Sequence, residues 1–371
     1  MDWQRVVTRI AAEVEERVDR VRLGAGRRLR GGIGEARIVA YRSFGTPARV
    51  HVRGRVLRGP PPAPQTPDDR WWVNLAHAYR RLETDEVPGA RLWVRFGDGE
   101  VEGRADEEGH FDIELRPRTP LSADRLWHEA RVGLVEPPGA AAPAMVCVPV
   151  GARFGVISDL DDTVIRTDAT HLVRLAREVL FGNAHTRIPF PGVGAFYRAL
   201  HIGAGARTNP IFYVSSSPWN LYDVLGELMR LHDIPAGPMT LRDWGLTRSE
   251  LLPIRHRAHK RAAIDRILDT YPKLPFILVG DSGQEDPEIY REVVHERPDR
   301  VLAIYIRSVR RDPNRIAGIQ NLAAEVAGMG AMAPELLLVD DTVTAARHAA
   351  ARGWIDPATL SDIARKRDQE R

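Results

Sequence analysis

The most constraining stretch of this chain runs from Phe154 to Thr167 and reads FGVISDLDDTVIRT. It opens with a short apolar run of the kind that a buried parallel strand presents. Asp159, Asp161 and Thr163 follow at alternate positions. Because ligands of an open α/β sheet bind outside the carboxyl ends of its strands, we expect these side chains at the mouth of a site.

The two aspartates at this spacing have a definite chemistry. One carboxylate can act as a nucleophile while the second, two residues on, transfers a proton. Since two acids held this close repel each other, the pair also favours a bound cation. The alternative is an acidic turn that caps a helix, because Asp and Thr are good N-cap residues. Three later segments weaken that alternative.

The first of these segments, IFYVSSSPWNLYD, places Ser215, Ser216 and Ser217 between an apolar strand and a predicted helix. Hydroxyl groups and free amides at a helix N-terminus bind phosphate. Simple capping by Ser216 or Ser217 is the alternative. Beside the aspartate motif, we favour contact with a phosphate group.

The other two segments supply a cation and more acids. Lys260 begins an amphipathic helical stretch and is one of only three lysines in the chain, which favours a compact ammonium that neutralises a phosphoryl group. A solvated lysine on the helix surface is the alternative. In FILVGDSGQEDPEIY, Asp281 ends another apolar strand and Asp286 follows it. Since Mg2+ takes one or two carboxylates plus water and substrate oxygens, Asp281 is expected to bind it beside Asp159. Asp286 is expected as a further ligand or as an acid behind the ligands.

The organisation of the chain changes near residue 150. Residues 1–35 contain a helical apolar stripe, and residues 36–150 alternate apolar and polar positions in short strands, which predicts a mainly β, sandwich-like domain with one inserted helix at RWWVNLAHAYRRLE. Gly-Asp-Gly and Glu-Glu-Gly turns in this part predict consecutive hairpins. Its segment PGARLWVRF…FDIEL resembles the transthyretin-like sandwich.

Residues 151–371 alternate strands with helices, which predicts an α/β fold with a parallel sheet. The predicted strands are Phe154–Ser158, Ile211–Val214, Met239–Leu241, Phe276–Val279, Val301–Ile306 and Leu336–Val339. The predicted helices are Leu172–Leu180, Val193–Leu200, Trp219–His232, Ala258–Thr270 and Pro287–Glu296. Lys366–Arg371 is interpreted as a charged end outside these elements.

Composition limits the function classes. The formal net charge of +3 is small for 371 residues, and the basic residues are scattered, which argues against nucleic-acid binding. The single cysteine excludes an internal disulfide framework. The charged N-terminus reads neither as a signal peptide nor as a membrane span, and no apolar run approaches the length of one. We therefore expect a soluble, cytoplasmic protein without a transmembrane segment.

Four segments in this order, SDLDDTVI, YVSSSPWNLYD, GDSGQEDPEIY and LLVDDTVTAARHA, resemble the haloacid dehalogenase (HAD) phosphohydrolase superfamily. More closely, they resemble the phosphatidate phosphatases of the actin-patch-protein type and their bacterial relatives, over roughly Arg153 to Trp354. The resemblance implies a HAD-like Rossmannoid sheet with a small cap or none. It also implies Mg2+-dependent hydrolysis of a phosphomonoester, with phosphatidate as the leading substrate.

The resemblance implies a role for each residue of the first motif. Asp159 would be the nucleophile that becomes an aspartyl-phosphate. Asp161 would protonate the departing alcohol and then activate the attacking water, and Thr163 would support the loop. The Asp159 carboxylate and the Asp161 backbone carbonyl would also contact the metal.

The later motifs receive roles by the same resemblance. Ser215 or Ser216, together with Lys260, would hold the phosphoryl oxygens, and Asp281 would bind Mg2+. Counting from the strand end favours Ser215 without excluding Ser216. Trp219, expected near the rim of the site, could meet the acyl chains of a lipid, with packing in the core as the alternative.

A second aspartate pair occurs in Val339-Asp340-Asp341-Thr342. Leu338 occupies the position two residues before Asp340, where the first motif has its nucleophile. We therefore interpret this stretch as a strand end and a helix start, with Asp341 or Thr342 as the cap.

The substrate remains open at this point. The stretch between Thr163 and Ser215 is too short for a large lid, and an open site suits a bulky or membrane-held substrate. One alternative is a soluble or macromolecular phosphomonoester. Another is a non-catalytic, phosphate-sensing scaffold. The lipid hypothesis adds a peripheral place at a membrane surface, and the protein partner of the β domain is unknown.

Overall fold

The computed structural model describes residues 35–59, 85–119, 121–122, 124–137, 139, 141–160, 190–242, 253–309, 312–330 and 333–370. The predicted N-terminal helix, the inserted helix and the predicted helix Leu172–Leu180 lie outside the described residues. Asp161 and Thr163 do so as well.

The described residues before position 150 form one nine-stranded sheet, here called the first sheet. Its strands are β1 (Ala36–Ala40), β2 (Ser43–Thr46), β3 (Arg49–Arg58), β4 (Asp85–Glu86), β5 (Arg91–Phe96), β6 (Gly99–Arg104), β7 (His110–Leu115), β8 (Trp127–Glu136) and β9 (Ala142–Cys147). Their order is β1-β3-β2-β9-β8-β5-β6, and β4 and β7 pair with β3.

The first sheet has a hydrophobic core of its own. Val52 of β3, Ile113 of β7, Val94 of β5, Val132 of β8 and Val146 of β9 are buried in a single cluster. Because side chains alternate between the faces of a strand, the apolar residues face this cluster while the charged residues between them face outward.

One of the two predicted hairpins of this sheet is wrong. β5 and β6 pair as predicted, with Phe96 opposite Gly99. β7 instead pairs with β3, where Phe111 lies opposite Gly54. A Cβ on Gly54 would lie 2.5 Å from the Phe111 ring, so the glycine makes room for this pairing. The turn before β7 is held by Asp106, whose carboxylate accepts the N–H groups of Glu108 and His110.

The second sheet has six strands in the order β12-β11-β10-β13-β14-β15. They are β10 (Gly155–Asp159), β11 (Ile211–Pro218), β12 (Met239–Arg242), β13 (Phe276–Asp281), β14 (Val301–Arg307) and β15 (Glu335–Val339). Every neighbouring pair is parallel. The predicted α/β class and the six predicted strands are therefore confirmed, with small shifts of their bounds.

Helices cover both faces of this sheet. They are α1 (Val193–Ile202), α2 (Tyr222–Leu231), α3 (Pro253–Thr270), α4 (Asp286–Glu296), α5 (Pro313–Ala327), α6 (Thr342–Ala351) and α7 (Leu360–Gln369). Residues of α1, α2, α6 and α7 share one buried cluster, and residues of α3, α4 and α5 share another. Val156 and Ile157 of β10 join opposite clusters, which explains the uninterrupted apolar runs.

Two of these helices were not predicted. α5 begins after Asp312, whose carboxylate accepts the Asn314 N–H, with Pro313 in the first turn. α7 extends to Gln369, so the interpretation of Lys366–Arg371 as a charged end outside the elements is wrong for most of that stretch.

The strand order reverses beside β10. Successive strands β11 and β12 build outward on one side of β10, and β13, β14 and β15 build outward on the other. In open sheets of this kind, the crevice at the reversal is the usual place for a ligand.

Candidate active site

Three carboxylates meet at the reversal of the second sheet. Asp159 ends β10 and Asp281 ends the neighbouring β13, while Asp286 is the first residue of α4. All three side chains are fully buried, and each offers an oxygen atom within 4.8 Å of those of the other two. The parallel register of β10 and β13 brings these carboxyl ends to the same edge.

Lys260 of α3 lies between two of these acids. Its Nζ atom is 2.9 Å from Oδ1 of Asp159 and 2.5 Å from Oδ1 of Asp286. The residue is only 3% exposed. Burial by itself lowers the pKa of Lys260, but the carboxylates of Asp159 and Asp286 together outweigh burial and raise that pKa above its usual value. The ammonium therefore stays charged at neutral pH.

The donor set of this cluster fits a hard divalent cation. Asp159, Asp281 and Asp286 contribute three carboxylates, and among the described residues the ammonium of Lys260 lies between two of them. Carboxylates held this close repel one another, which favours a bound cation. Carboxylate oxygens are the ligands that Mg2+ prefers, so these residues suit the magnesium site expected from the sequence.

Backbone groups orient the acids at the end of β13. Oδ1 of Asp281 accepts the N–H groups of Gly283 at 2.5 Å and Gln284 at 3.0 Å. Oδ2 of Asp286 accepts the N–H of Asp281 itself at 3.1 Å. A Cβ on Gly280 would lie 2.5 Å from Oδ2 of Asp286, so this close approach requires glycine.

Arg315 of α5 clamps the β13–α4 loop, Ser282–Glu285, from outside. Its Nε donates to the Ser282 carbonyl at 2.9 Å, and Nη2 donates to the Gln284 carbonyl at 2.5 Å. The same guanidinium pairs with Glu288 of α4. Sequence reasoning missed Arg315, because no local pattern connects an arginine on a later helix with this loop.

The serine segment, Ser215–Ser217, follows the residue of β11 that lies opposite Asp159, which is Val214. The register of β11 with β12 shifts between Val214 and Pro218, so the segment bulges out of the ladder. Bulges of this kind re-aim side chains beside active sites. Ser215 is fully buried, and its Oγ accepts the Ser217 N–H at 2.9 Å.

The helix that was expected directly after the serines begins later. β11 continues to Pro218, a short 3-10 turn covers Trp219–Leu221, and α2 starts only at Tyr222. The predicted phosphate contact of Ser215 or Ser216 therefore stays a prediction that depends on the bulge and its proximity to Asp159.

Trp219 lies in the contact between the two sheets and not at an open rim. It is 6% exposed, and its ring stacks on Tyr41 with centroids 4.4 Å apart and planes 11° from parallel. The guanidinium of Arg53 lies 5.1 Å from the centroid of the Trp219 ring. Of the two alternatives for Trp219, the structure matches packing.

The second aspartate pair behaves as the sequence indicated. Asp341 caps α6, and its carboxylate accepts the Thr344 N–H at 2.9 Å. Arg367 of α7 donates to the other oxygen of Asp341 at 3.0 Å. The prediction of a capping role is confirmed.

The structure thus brings together Asp159, Lys260, Asp281 and Asp286, with the serine segment on the next strand. Within the described part of the chain, no helix is long and apolar enough to span a bilayer.

Known proteins resemble part of this chain. Residues 154–308 match the family described as "Phosphatidate phosphatase APP1, catalytic domain". Phosphatidate phosphatase APP1 of Saccharomyces cerevisiae is 34% identical over 176 residues, which cover 47% of this chain and 29% of the yeast protein. An uncharacterized protein of Schizosaccharomyces pombe is 29% identical over 170 residues, 44% of this chain and 27% of the relative. The match confirms the predicted resemblance over these residues.

Two solved structures show only low similarity to this chain. A carbohydrate acetylesterase from Xanthomonas citri has a TM-score of 0.27 at 11% identity, covering 72% of this chain and 68% of its own. A β-glucuronidase from Ruminococcus gnavus has a TM-score of 0.26 at 8% identity, covering 82% and 62%. Scores this low indicate neither a shared fold nor a shared activity.

Proposed function

We propose that this chain, whose residues 154–308 match the APP1 catalytic domain, is a HAD-like phosphatase that hydrolyses phosphatidate to diacylglycerol and phosphate. The observation that carries the proposal is the placement of Lys260 between Asp159 and Asp286, with Asp281 beside them. All four residues lie inside the matched range. A peripheral place at a membrane surface follows from a lipid substrate.

The reaction begins with attack by the Asp159 carboxylate on the phosphorus atom. The bond from phosphorus to the alcohol oxygen breaks as the bond to the carboxylate forms, and the leaving oxygen takes a proton from Asp161. In the second step, water gives a proton back to Asp161 and attacks the phosphorus, which releases phosphate and regenerates Asp159. The role of Asp161 rests on the motif, because this residue lies outside the described part of the chain.

Lys260 has two effects in this scheme. Its ammonium lies 2.9 Å from Oδ1 of Asp159, so it pairs with that carboxylate and orients it. It also places a fixed positive charge where phosphoryl oxygens gather charge in the transition state. The serine segment, on the other side of Asp159, supplies hydroxyl and amide groups to the remaining oxygens.

Asp159, Asp281 and Asp286 would hold Mg2+. When bound, the ion would reduce the electrostatic repulsion between the anionic substrate and the anionic nucleophile. Asp286 has a second duty, because its Oδ1 accepts a hydrogen bond from Lys260 while Oδ2 accepts the N–H of Asp281. It therefore links the ammonium to the strand end that carries the Asp281 ligand.

The test is phosphate release from phosphatidate in mixed micelles and from a panel of soluble phosphomonoesters, with Mg2+ or with EDTA. Preference for phosphatidate, abolished by EDTA, is the expected result. Activity on soluble esters alone would keep the mechanism and overturn the lipid substrate, and no activity on any ester would favour the scaffold alternative.

Two variants sharpen this test. Asp159→Asn should abolish turnover while the protein stays folded, because an amide cannot form the acyl phosphate. Asp341→Asn is the matched control, since this aspartate caps α6 away from the cluster. Turnover that survived in Asp159→Asn would show that the nucleophile is another residue.

A further inference from the structure

The contact between the two sheets includes an aromatic residue, Tyr41, that is distant in sequence from the second sheet. Tyr41 lies between β1 and β2 of the first sheet, yet it is 4% exposed and belongs to the buried cluster of the second sheet. Its backbone N–H donates to the Arg53 carbonyl of β3 at 2.8 Å. Tyr41 is therefore held by the first sheet and packs into the second.

Tyr41 and its neighbour fix the start of α2. The Tyr41 ring stacks on Trp219 and lies 4.5 Å from the ring of Tyr222. The next residue, Arg42, donates its backbone N–H to the Tyr222 hydroxyl at 2.7 Å. Stacked aromatic pairs add stability beyond their buried area, so this contact favours a single position for Trp219.

The position of Trp219 matters for the serine segment that precedes it. The ladder between β11 and β12 loses its register between Val214 and Pro218, so regular pairing with β12 does not set the path of the serines. Upstream, Val214 is held opposite Asp159. Downstream, the segment ends at Pro218 and Trp219. A shift of the Trp219 backbone would therefore move the serines relative to Asp159.

We propose that Tyr41 is a positioning residue for phosphate binding, acting through Trp219 on the serine segment. The first sheet then contributes to the affinity of the site on the second sheet for a phosphoryl group. This contribution is indirect, because the proposal includes no contact between the first sheet and the phosphoryl group. This inference rests on the proposed function, because it takes the serine segment as the phosphate contact.

The experiment measures binding of inorganic phosphate by calorimetry in the presence of Mg2+, and steady-state kinetics on the best ester. Tyr41→Leu removes the ring and keeps an apolar side chain. We expect about a two- to tenfold loss of phosphate affinity, the range of one aromatic pair, and a matching rise in KM with a smaller change in kcat. Tyr41→Phe keeps the ring and should restore affinity to within about twofold.

Two other contacts between the sheets provide matched controls. The Tyr271 hydroxyl donates to the Gly45 carbonyl at 3.1 Å, and Arg266 pairs with Asp112 at 2.7 Å. Arg266 lies near the end of α3 and Tyr271 directly follows that helix, so both are distant in sequence from the serine segment. Tyr271→Phe and Arg266→Gln should weaken the contact between the sheets, seen as a lower Tm, and leave phosphate affinity unchanged.

The outcomes separate this inference from the proposed function. Unchanged phosphate affinity in Tyr41→Leu, or an equal loss in both controls, would overturn the positioning role. Failure of the wild-type protein to bind phosphate would also overturn it. By contrast, the variants could show the expected differences in phosphate affinity while the protein hydrolyses no ester. That result would support this inference and overturn the proposed phosphatase activity.

Discussion

The two segments that flank Asp159 are supported in different ways. On the β13 side, the loop Ser282–Glu285 is held by hydrogen bonds from its own domain, with Arg315 bound to two of its carbonyls. On the β11 side, the serine segment bulges from its ladder and is followed by Trp219, which stacks on the first sheet. One support is polar and local, and the other is aromatic and comes from a distant part of the chain.

This difference matches the two tasks that we propose. Metal binding needs carboxylate oxygens at fixed separations, and hydrogen bonds to Asp281 and Asp286 set those separations directly. Phosphate binding needs a backbone path that places hydroxyl and amide groups around an anion. Packing against Trp219 can set such a path without contacting the anion. Changes on the two sides should therefore separate metal affinity from phosphate affinity.

After loss of the nucleophile itself, the largest expected effect comes from Lys260, which links Asp159 to Asp286 of the β13 side. Lys260→Met removes the ammonium from the transition state, and we expect kcat to fall by about 100- to 1,000-fold. The measurement is steady-state kinetics on the best ester, with circular dichroism to confirm folding. Lys260→Arg, which keeps the charge, should lose less. Full activity in Lys260→Met would contradict the assigned role.

Arg315 tests the β13 side alone. Arg315→Gln releases the Ser282 and Gln284 carbonyls and should weaken Mg2+ binding by about 10- to 100-fold, as loss of a residue that orients metal ligands does. Calorimetric titration with Mg2+ and the Mg2+ dependence of turnover both report this change. Inorganic phosphate affinity at saturating Mg2+ should stay unchanged.

The control for Arg315 is another arginine between the same two helices. Arg291 of α4 pairs with Glu325 of α5 at 3.7 Å, without a bond to the β13–α4 loop. Arg291→Gln should leave the Mg2+ titration as in wild type. Equal losses in the two variants would show that helix packing, and not the clamp, sets metal affinity.

His110 of β7 tests the aromatic side through pH. Its ring centroid lies 6.0 Å from that of Trp219. Burial and the positive charges of Arg55 and Arg53 lower the pKa of His110 to about 4, although the carboxylate of Asp106 opposes this shift. Because the unfolded chain takes up this proton near pH 6.5, the folded state loses stability as the pH falls from about 6.5 to about 4.

The measurement for His110 is the Tm between pH 7 and pH 4.5, compared with His110→Gln. The variant should show a shallower loss of Tm over this range, because it has no imidazole to protonate. Identical pH profiles for the two proteins would show that the loss of stability comes from groups other than His110.

The smallest effect is expected at a second, buried contact between the sheets. Tyr271→Phe removes the hydrogen bond to the Gly45 carbonyl and should lower the free energy of unfolding by about 1 kcal/mol. Urea unfolding measures this change. A much larger loss would show that the Tyr271 hydroxyl contributes more than this one hydrogen bond.

Much of the second sheet was predictable because its strands are buried on both faces. Runs such as the one before Asp159 need no partner to be recognised, and parallel pairing then brings Asp159 and Asp281 to one edge. Lys260 was found from its rarity in an arginine-rich chain. Asp159, Asp281 and Lys260 were therefore expected at one site from local patterns, whereas Asp286 was left as a further ligand or an acid behind the ligands, and their roles stay predictions.

The features that were missed depend on contacts between distant segments. Arg315 acts through carbonyl groups that any residue type carries, so neither its spacing nor its neighbours mark it. Trp219 was expected at a rim because its covering partner, Tyr41, belongs to another sheet. The pairing of β7 with β3 likewise depends on the space above Gly54, which a turn pattern does not report.

The stack of Tyr41 on Trp219 also sets a limit on modular exchange. A border drawn at residue 150 would transfer the nucleophile, the lysine and the metal ligands to a new host, but it would leave Tyr41 behind. A chimera in which recombination or protein engineering replaces the N-terminal half thus contains the catalytic residues without the aromatic ring that packs on Trp219. A successful chimera would need a new aromatic partner for Trp219, and the natural unit of inheritance is then both sheets together.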